Sequence, residues 1–158
     1  MAGKDGYSAS VTITRPADTT AYTAGDVVGP TVAALEFPQI GAAGRDAMIT
    51  SAEFAWHVTA VPSGATSFRL HLYDVTPPSA LADNAVWDLP AGDRASYLGY
   101  IDLGTPVDVG ATLFVQSVQI NKQVKLAGSS LFGYLVTVGA YTPASASVMK
   151  ITLRTVAL

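Results

Sequence analysis

Apolar and polar residues alternate with a period of two along most of this chain. From Ser8 to Thr14, Ala9, Val11 and Ile13 fall on one side and Ser8, Ser10, Thr12 and Thr14 on the other. That pattern predicts a strand with one buried face, and Arg15-Pro16 ends it. The stretch Ala17 to Thr31, with Asp18, Gly25, Asp26, Gly29 and Pro30, reads as a long ordered loop. Ala34 to Phe37 predicts a short strand stopped by Pro38, and Gly41 to Gly44 a turn. In Ile49 to Val61, Phe54, Trp56 and Val58 alternate with Glu53, Ala55, His57 and Thr59. After Pro62-Ser63-Gly64, Phe68, Leu70 and Leu72 alternate with Arg69, His71 and Tyr73. The two rows read as a hairpin with one core-facing side, which sets His57 and His71 together on the outer face.

Thr76-Pro77-Pro78 ends that strand. Ser79 to Arg94 is the most irregular part of the chain, and a short helical turn is expected near Asp93 to Leu98. Strands resume at Tyr97 to Leu103. A further pair is expected over Thr112 to Leu126, turning at Asn121-Lys122. Leu131 to Val138 is nearly continuous apolar, as a strand covered on both faces must be. Ser147 to Leu158 supplies the last strand, with Met149, Ile151 and Leu153 inward. About eight to ten short strands with no long amphipathic helix predict an all-β fold, a two-layer antiparallel β-sandwich or a barrel. The 158 residues suit one domain spanning 1–158, with residues 1–7 as a candidate N-terminal arm.

Composition changes this picture in one respect. Charged residues make up 13% of the chain, against about 25% in an ordinary soluble domain. Interface cores are depleted in charge, so part of the surface is expected to be covered by other protein; a monomer coated with Ser, Thr and Gln is the competing account. The net charge of −3 and the scattered Lys and Arg give no footprint for nucleic acid. No apolar run matches a membrane span, and Met1 to Gly6 lack the apolar core of a signal peptide, so synthesis and assembly in a cytoplasm are expected. With no cysteine there are neither disulfides nor thiolate metal ligands.

Candidate chemistry is sparse, and no cofactor or enzymatic activity is expected. Histidine occurs only at His57 and His71. Asp74 lies three residues from His71, on the opposite side of a strand, which spoils a Ser–His–Asp arrangement. Glu53, His57 and His71 share a face in the expected hairpin and form the one metal constellation worth weighing, against a solvated patch next to Arg69. Asp83, Asp88 and Asp93 share a loop without calcium-loop spacing, and Glu36 and Glu53 are the only glutamates for a carboxylate pair. Phosphate-binding glycine motifs are absent. Aromatic residues outside the expected strands are Tyr7, Tyr22, Trp87 and Tyr141. Such rings either plug the ends of a sandwich, anchor a protein partner, or, for Trp87 and Tyr141, stack on sugars.

The opening run Ser10-Val11-Thr12-Ile13-Thr14-Arg15-Pro16-Ala17-Asp18-Thr19-Thr20-Ala21-Tyr22-Thr23-Ala24-Gly25-Asp26-Val27-Val28-Gly29 resembles the start of a group of small tailed-bacteriophage structural proteins encoded among virion morphogenesis genes. Leu72-Tyr73-Asp74-Val75-Thr76-Pro77-Pro78, Asp83-Asn84-Ala85-Val86-Trp87 and Ala140-Tyr141-Thr142-Pro143 continue the resemblance along nearly the whole chain. None of these stretches is catalytic. The resemblance implies a capsid decoration (cement) protein or similar head accessory, a jelly-roll sandwich on the capsid exterior. Such a protein would act as a dimer or trimer and bridge major capsid subunits. A host glycan-binding module and a tail or neck component are the alternatives, and strand counts alone leave an immunoglobulin-like topology open.

Overall fold

A computed structural model describes residues 5–158. Ten strands run in chain order: β1 Gly6–Thr14, β2 Val27–Val28, β3 Leu35–Phe37, β4 Asp46–His57, β5 Phe68–Tyr73, β6 Tyr97–Gly104, β7 Val107–Gly110, β8 Leu113–Lys125, β9 Leu131–Thr137 and β10 Val148–Ala157. They form two antiparallel sheets, ordered β1-β10-β4-β8-β7 and β2-β9-β5-β6, with β3 also paired to β9. Taking β2 and β3 as one interrupted strand and setting the short β7 aside leaves eight main strands. Counted along the chain, these lie in the order 1-8-3-6 in one sheet and 2-7-4-5 in the other. That is jelly-roll winding, and it removes the immunoglobulin-like alternative.

The hairpin expected from the two central apolar rows does not form. β4 pairs with β10 and β8, whereas β5 pairs with β6 and β9. The chain instead crosses from one sheet to the other through Pro62-Ser63-Gly64. Gly64 adopts φ +87° there, and a Cβ on it would sit 2.2 Å from the Ala140 carbonyl oxygen. The alternation was right and the pairing wrong, because two rows facing one core satisfy the same parity whether they are neighbours or opposed. Opposed, Phe54 and Trp56 meet Phe68 across the sandwich at ring separations of 5.0 and 5.4 Å.

Two further expectations are corrected. Thr112 to Leu126 is not a hairpin: β8 runs through Asn121-Lys122. Asn121 takes φ 53° and is accommodated as a bulge, β8 having an extra residue between the Ile49–Lys122 and Ser51–Gln119 pairs. Asparagine tolerates that conformation, which is why it resembled a turn. The helical element is a single 3-10 turn at Ala91–Asp93, earlier than expected, and Tyr97 already belongs to β6. Of the candidate N-terminal arm, residues 1–4 lie outside the described residues, and Gly6 and Tyr7 pair with β10 as part of β1.

The main core lies between the sheets. A second, smaller one covers the outer face of the β9-β5-β6 sheet, where Val27, Ala33, Tyr73, Tyr134 and Val136 pack with Leu81, Trp87, Leu89 and Tyr97. The irregular segment 79–96 is therefore an ordered cover. The Tyr134 hydroxyl accepts from the Leu81 N–H and donates to the Ser79 carbonyl, while the buried Asp93 carboxylate accepts from the Ser79 N–H and hydroxyl.

Candidate functional site

The outer face of β5 supplies the site. Arg69, His71 and Tyr73 point away from the main core, opposite Val136, Tyr134 and Phe132 of β9. Trp87 is brought over them by its backbone N–H, which donates to the Gly25 carbonyl at 3.0 Å, and by its indole N–H, which donates to the Tyr73 hydroxyl at 3.3 Å. Its ring then stacks on His71 with centroids 3.8 Å apart. Beside this stack is a groove of about 340 Å³ lined by Gly25, Arg69, His71, Val86, Trp87 and Val138. Val86 and Val138 are exposed at its rim, and the exposed Tyr100 ring lies under the Arg69 guanidinium at 4.9 Å.

Electrostatically the groove holds one fixed cation. Burial, with the Arg69 charge adding to it, lowers the His71 pKa to about 4, so the imidazole is neutral near pH 7. His71 Nδ1 shares a 2.9 Å hydrogen bond with the Tyr97 hydroxyl. Burial also pushes Tyr73 up to about 12 and raises Tyr97 and Tyr134. Arg69 Nε is buried without a hydrogen-bond partner among the described residues. Asp102, its register partner on β6, turns its carboxylate to the Gly104 N–H instead. The groove therefore offers a guanidinium with no ion-pair partner among the described residues, aromatic rings and aliphatic rims. Arg and aromatic side chains of this kind are those that anchor protein contacts.

The expected candidates scatter. Glu53 and His57 lie on the outer face of one sheet and His71 on that of the other, so the metal constellation is not assembled. No group of three or more His, Cys, Asp or Glu among the described residues could hold a metal ion. Asp83, Asp88 and Asp93 diverge: Asp83 binds Arg15, Tyr22 and the Gly29 N–H, Asp93 binds Ser79, and Asp88 is exposed. Tyr22 and Tyr141 are interior residues, 1% and 3% exposed, with rings 5.1 Å apart at the end of the main core. Neither presents a surface to a partner, and Tyr141 forms no sugar platform with Trp87, because the two belong to different cores. Tyr7 is half-buried on the edge strand β1, and Trp87 half-buried at the groove.

Sequence reading missed Arg15. Its side chain is fully buried, contacting Asp83 at 3.3 Å and Asp18 at 3.5 Å and hydrogen-bonding Tyr22. Burial opposes its charge, but the Tyr22 oxygen and the Asp83 carboxylate outweigh this and raise its pKa. Burial and the hydrogen bond to Asp83 push Tyr22 well above its ordinary value. The cluster ties the end of β1 to the loop after it and to the cover segment. A lone Arg before Pro gave no sign of this, because the buried carboxylate that completes the cluster, Asp83, is distant in sequence.

No family model matches this chain, and no curated protein matches it. Among solved structures, the chain is similar to one from the capsid of Ralstonia phage GP4, with 12% identity, a TM-score of 0.47 and coverage of 98% of this chain and 84% of that one. It is similar to the BFDV capsid protein at 11% identity and a TM-score of 0.41, covering 99% of both chains. A chain from the capsid of Helicobacter pylori bacteriophage KHP30 follows at 8% identity and 0.32, covering 98% and 93%. None of these three reaches a TM-score of 0.5, and the jelly roll stands on its own strand order.

Proposed function

We propose that this chain is a non-enzymatic structural subunit of a tailed-bacteriophage virion, and specifically a decoration subunit on the capsid exterior. In this reading it docks a carboxylate-bearing segment of the major capsid protein into the Arg69–Trp87 groove. The observation that carries it is the unpaired Arg69 guanidinium set among Trp87, Tyr100, Val86 and Val138. Arg, Trp and Tyr are the residues that anchor protein interfaces, and a cation with no carboxylate partner among the described residues favours an anionic one. The low charge content and the resemblance in Ser10–Gly29 support the same reading. Many simultaneous copies on a lattice hold by avidity, so one modest groove per subunit suffices.

The test is binding of the purified chain to phage particles stripped of it, with a reconstruction to give position and copy number. Arg69→Ala and Val138→Glu, both at the groove surface, should each weaken binding at least about tenfold, the equivalent of roughly 1.4 kcal/mol. Particles lacking the chain should burst at lower temperature than complete ones. Undiminished binding by both variants refutes the groove, and a few copies at the neck or tail refute decoration. A glycan-array hit lost in Tyr100→Ala, without particle binding, replaces both with a host-glycan module.

A further inference from the structure

Each sheet has two edges, and three of the four are blunted. β7 has four residues, a bulge between Asp108 and Gly110, and the charge of Asp108. β6 has two register shifts and carries Asp102. β2 and β3 are two and three residues long, and bridges at Asp26–Val86 and Val32–Ala82 cover that margin. Short strands, bulges, charges and covers are the means by which sheets avoid joining edge to edge. Among the described residues β1 has none of them: nine residues, Gly6 to Thr14, with no charge, proline or bulge.

The register shows what this edge offers. The Ala157 N–H donates to the Asp5 carbonyl and the Arg15 N–H to the Ser147 carbonyl, so the odd-numbered residues of β1 face β10. The N–H and C=O groups of Gly6, Ser8, Ser10, Thr12 and Thr14 therefore point outward, and all five residues are exposed. No other described backbone group bonds to them.

We propose that β1 is a homodimer edge, where two copies pair antiparallel about a two-fold axis at Ser10 and merge their five-stranded sheets into one. The strand is complementary to itself in the register that overlaps its full length. Gly6 then faces Thr14, Ser8 faces Thr12 and Ser10 faces Ser10, each pair exchanging two N–H···O bonds. On the outer face the Ser8–Thr12 and Ser10–Ser10 pairs set hydroxyl against hydroxyl, a favourable cross-strand pairing. On the inner face Tyr7 lies opposite Ile13 and Ala9 opposite Val11, which covers the half-buried Tyr7 and Val11. The strand itself carries no charge to set against the same charge of a second copy. The proposal does not depend on the virion reading.

Light scattering on the full chain at tens of micromolar tests it, and a mass of two chains is expected. Ser10→Lys sets like charges opposite each other on the axis and should weaken the dimer at least tenfold, with circular dichroism retained and melting lowered only slightly, since Ser10 is exposed and gives up one hydroxyl bond to Thr152. The chain has no cysteine, so Ser10→Cys should oxidise to a cross-linked dimer, the Cα separation of about 5.5 Å in a hydrogen-bonded pair suiting a disulfide. Thr14→Cys, which faces Gly6, should not cross-link. A single-chain mass for the unmodified protein, a dimer indifferent to Ser10→Lys, or absence of the Ser10→Cys cross-link overturns the proposal.

Discussion

The two sheets turn opposite kinds of outer face to their surroundings. Outside the β1-β10-β4-β8-β7 sheet lie Ser8, Ser10, Thr12, Thr14, His57, Lys150 and Arg154, all exposed, with Glu53 half-exposed. Its one ion pair among the described residues, Arg154–Glu53 at 3.9 Å, is open to water and contributes little. Outside the other sheet, Tyr73, Tyr134 and Val136 are buried beneath the 79–96 cover. Period-two alternation thus has two meanings here. Where the second row is Ser and Thr it meets water, and where it is aromatic it supports another layer. The main core packs between the two sheets, whereas the layer rests on the outer face of one of them. Stability should therefore be graded between them.

The largest effect tests the shared platform. Phe68 is fully buried and packs on Phe54, Trp56 and Tyr141. Phe68→Ala should cost about 3–5 kcal/mol in denaturant unfolding, with both cores lost in one transition. A cover that kept its structure after the main core had unfolded would show that it is not built on the sandwich.

A smaller effect comes from the buried histidine. His71 has its folded-state pKa lowered to about 4, against 6.5 when unfolded, so folding favours the neutral imidazole. The associated stability is fully present above pH 6.5. It is lost as pH falls from 6.5 to about 4, where the unfolded chain takes up a proton that the folded one refuses. The loss should be on the order of 2–3 kcal/mol. Comparing the unmodified chain with His71→Gln isolates it from the carboxylates, and the stability gap between them should narrow by that amount between pH 7 and 4. A constant gap would mean that His71 is not enclosed by Trp87 and Arg69.

How much of this was legible in the sequence follows from where each signal lay. The strands β1, β9 and β10 were readable because each carries its own alternation or apolar run. The partner of β4 was not, because inward rows in neighbouring and opposed strands look alike. Trp87 was legible as an aromatic outside the strands. Its stacking on His71 was not, since that depends on a cover segment whose Ala, Asp and Pro content reads as loop. Tyr22 and Tyr141 illustrate the limit: a tyrosine in a loop suits either an interface or an end plug, and only their burial against each other at the end of the main core decides.

The finest test of the graded picture is at Tyr134, whose hydroxyl joins the sheet to the cover through the Leu81 N–H and the Ser79 carbonyl. Tyr134→Phe keeps the ring in the second core and removes both bonds, leaving two backbone groups in a partly buried place. The cost should be about 1–2 kcal/mol, because an unsatisfied partner loses more than a bond to water regains. Its location is more informative than its size. Amide exchange should quicken at Leu81 and its neighbours in the cover while the amides of β4 and β10 keep their protection, since local opening needs only the cover to lift. Uniform acceleration across both sheets would mean that cover and sandwich open together, and the two faces would then differ in composition but not in stability.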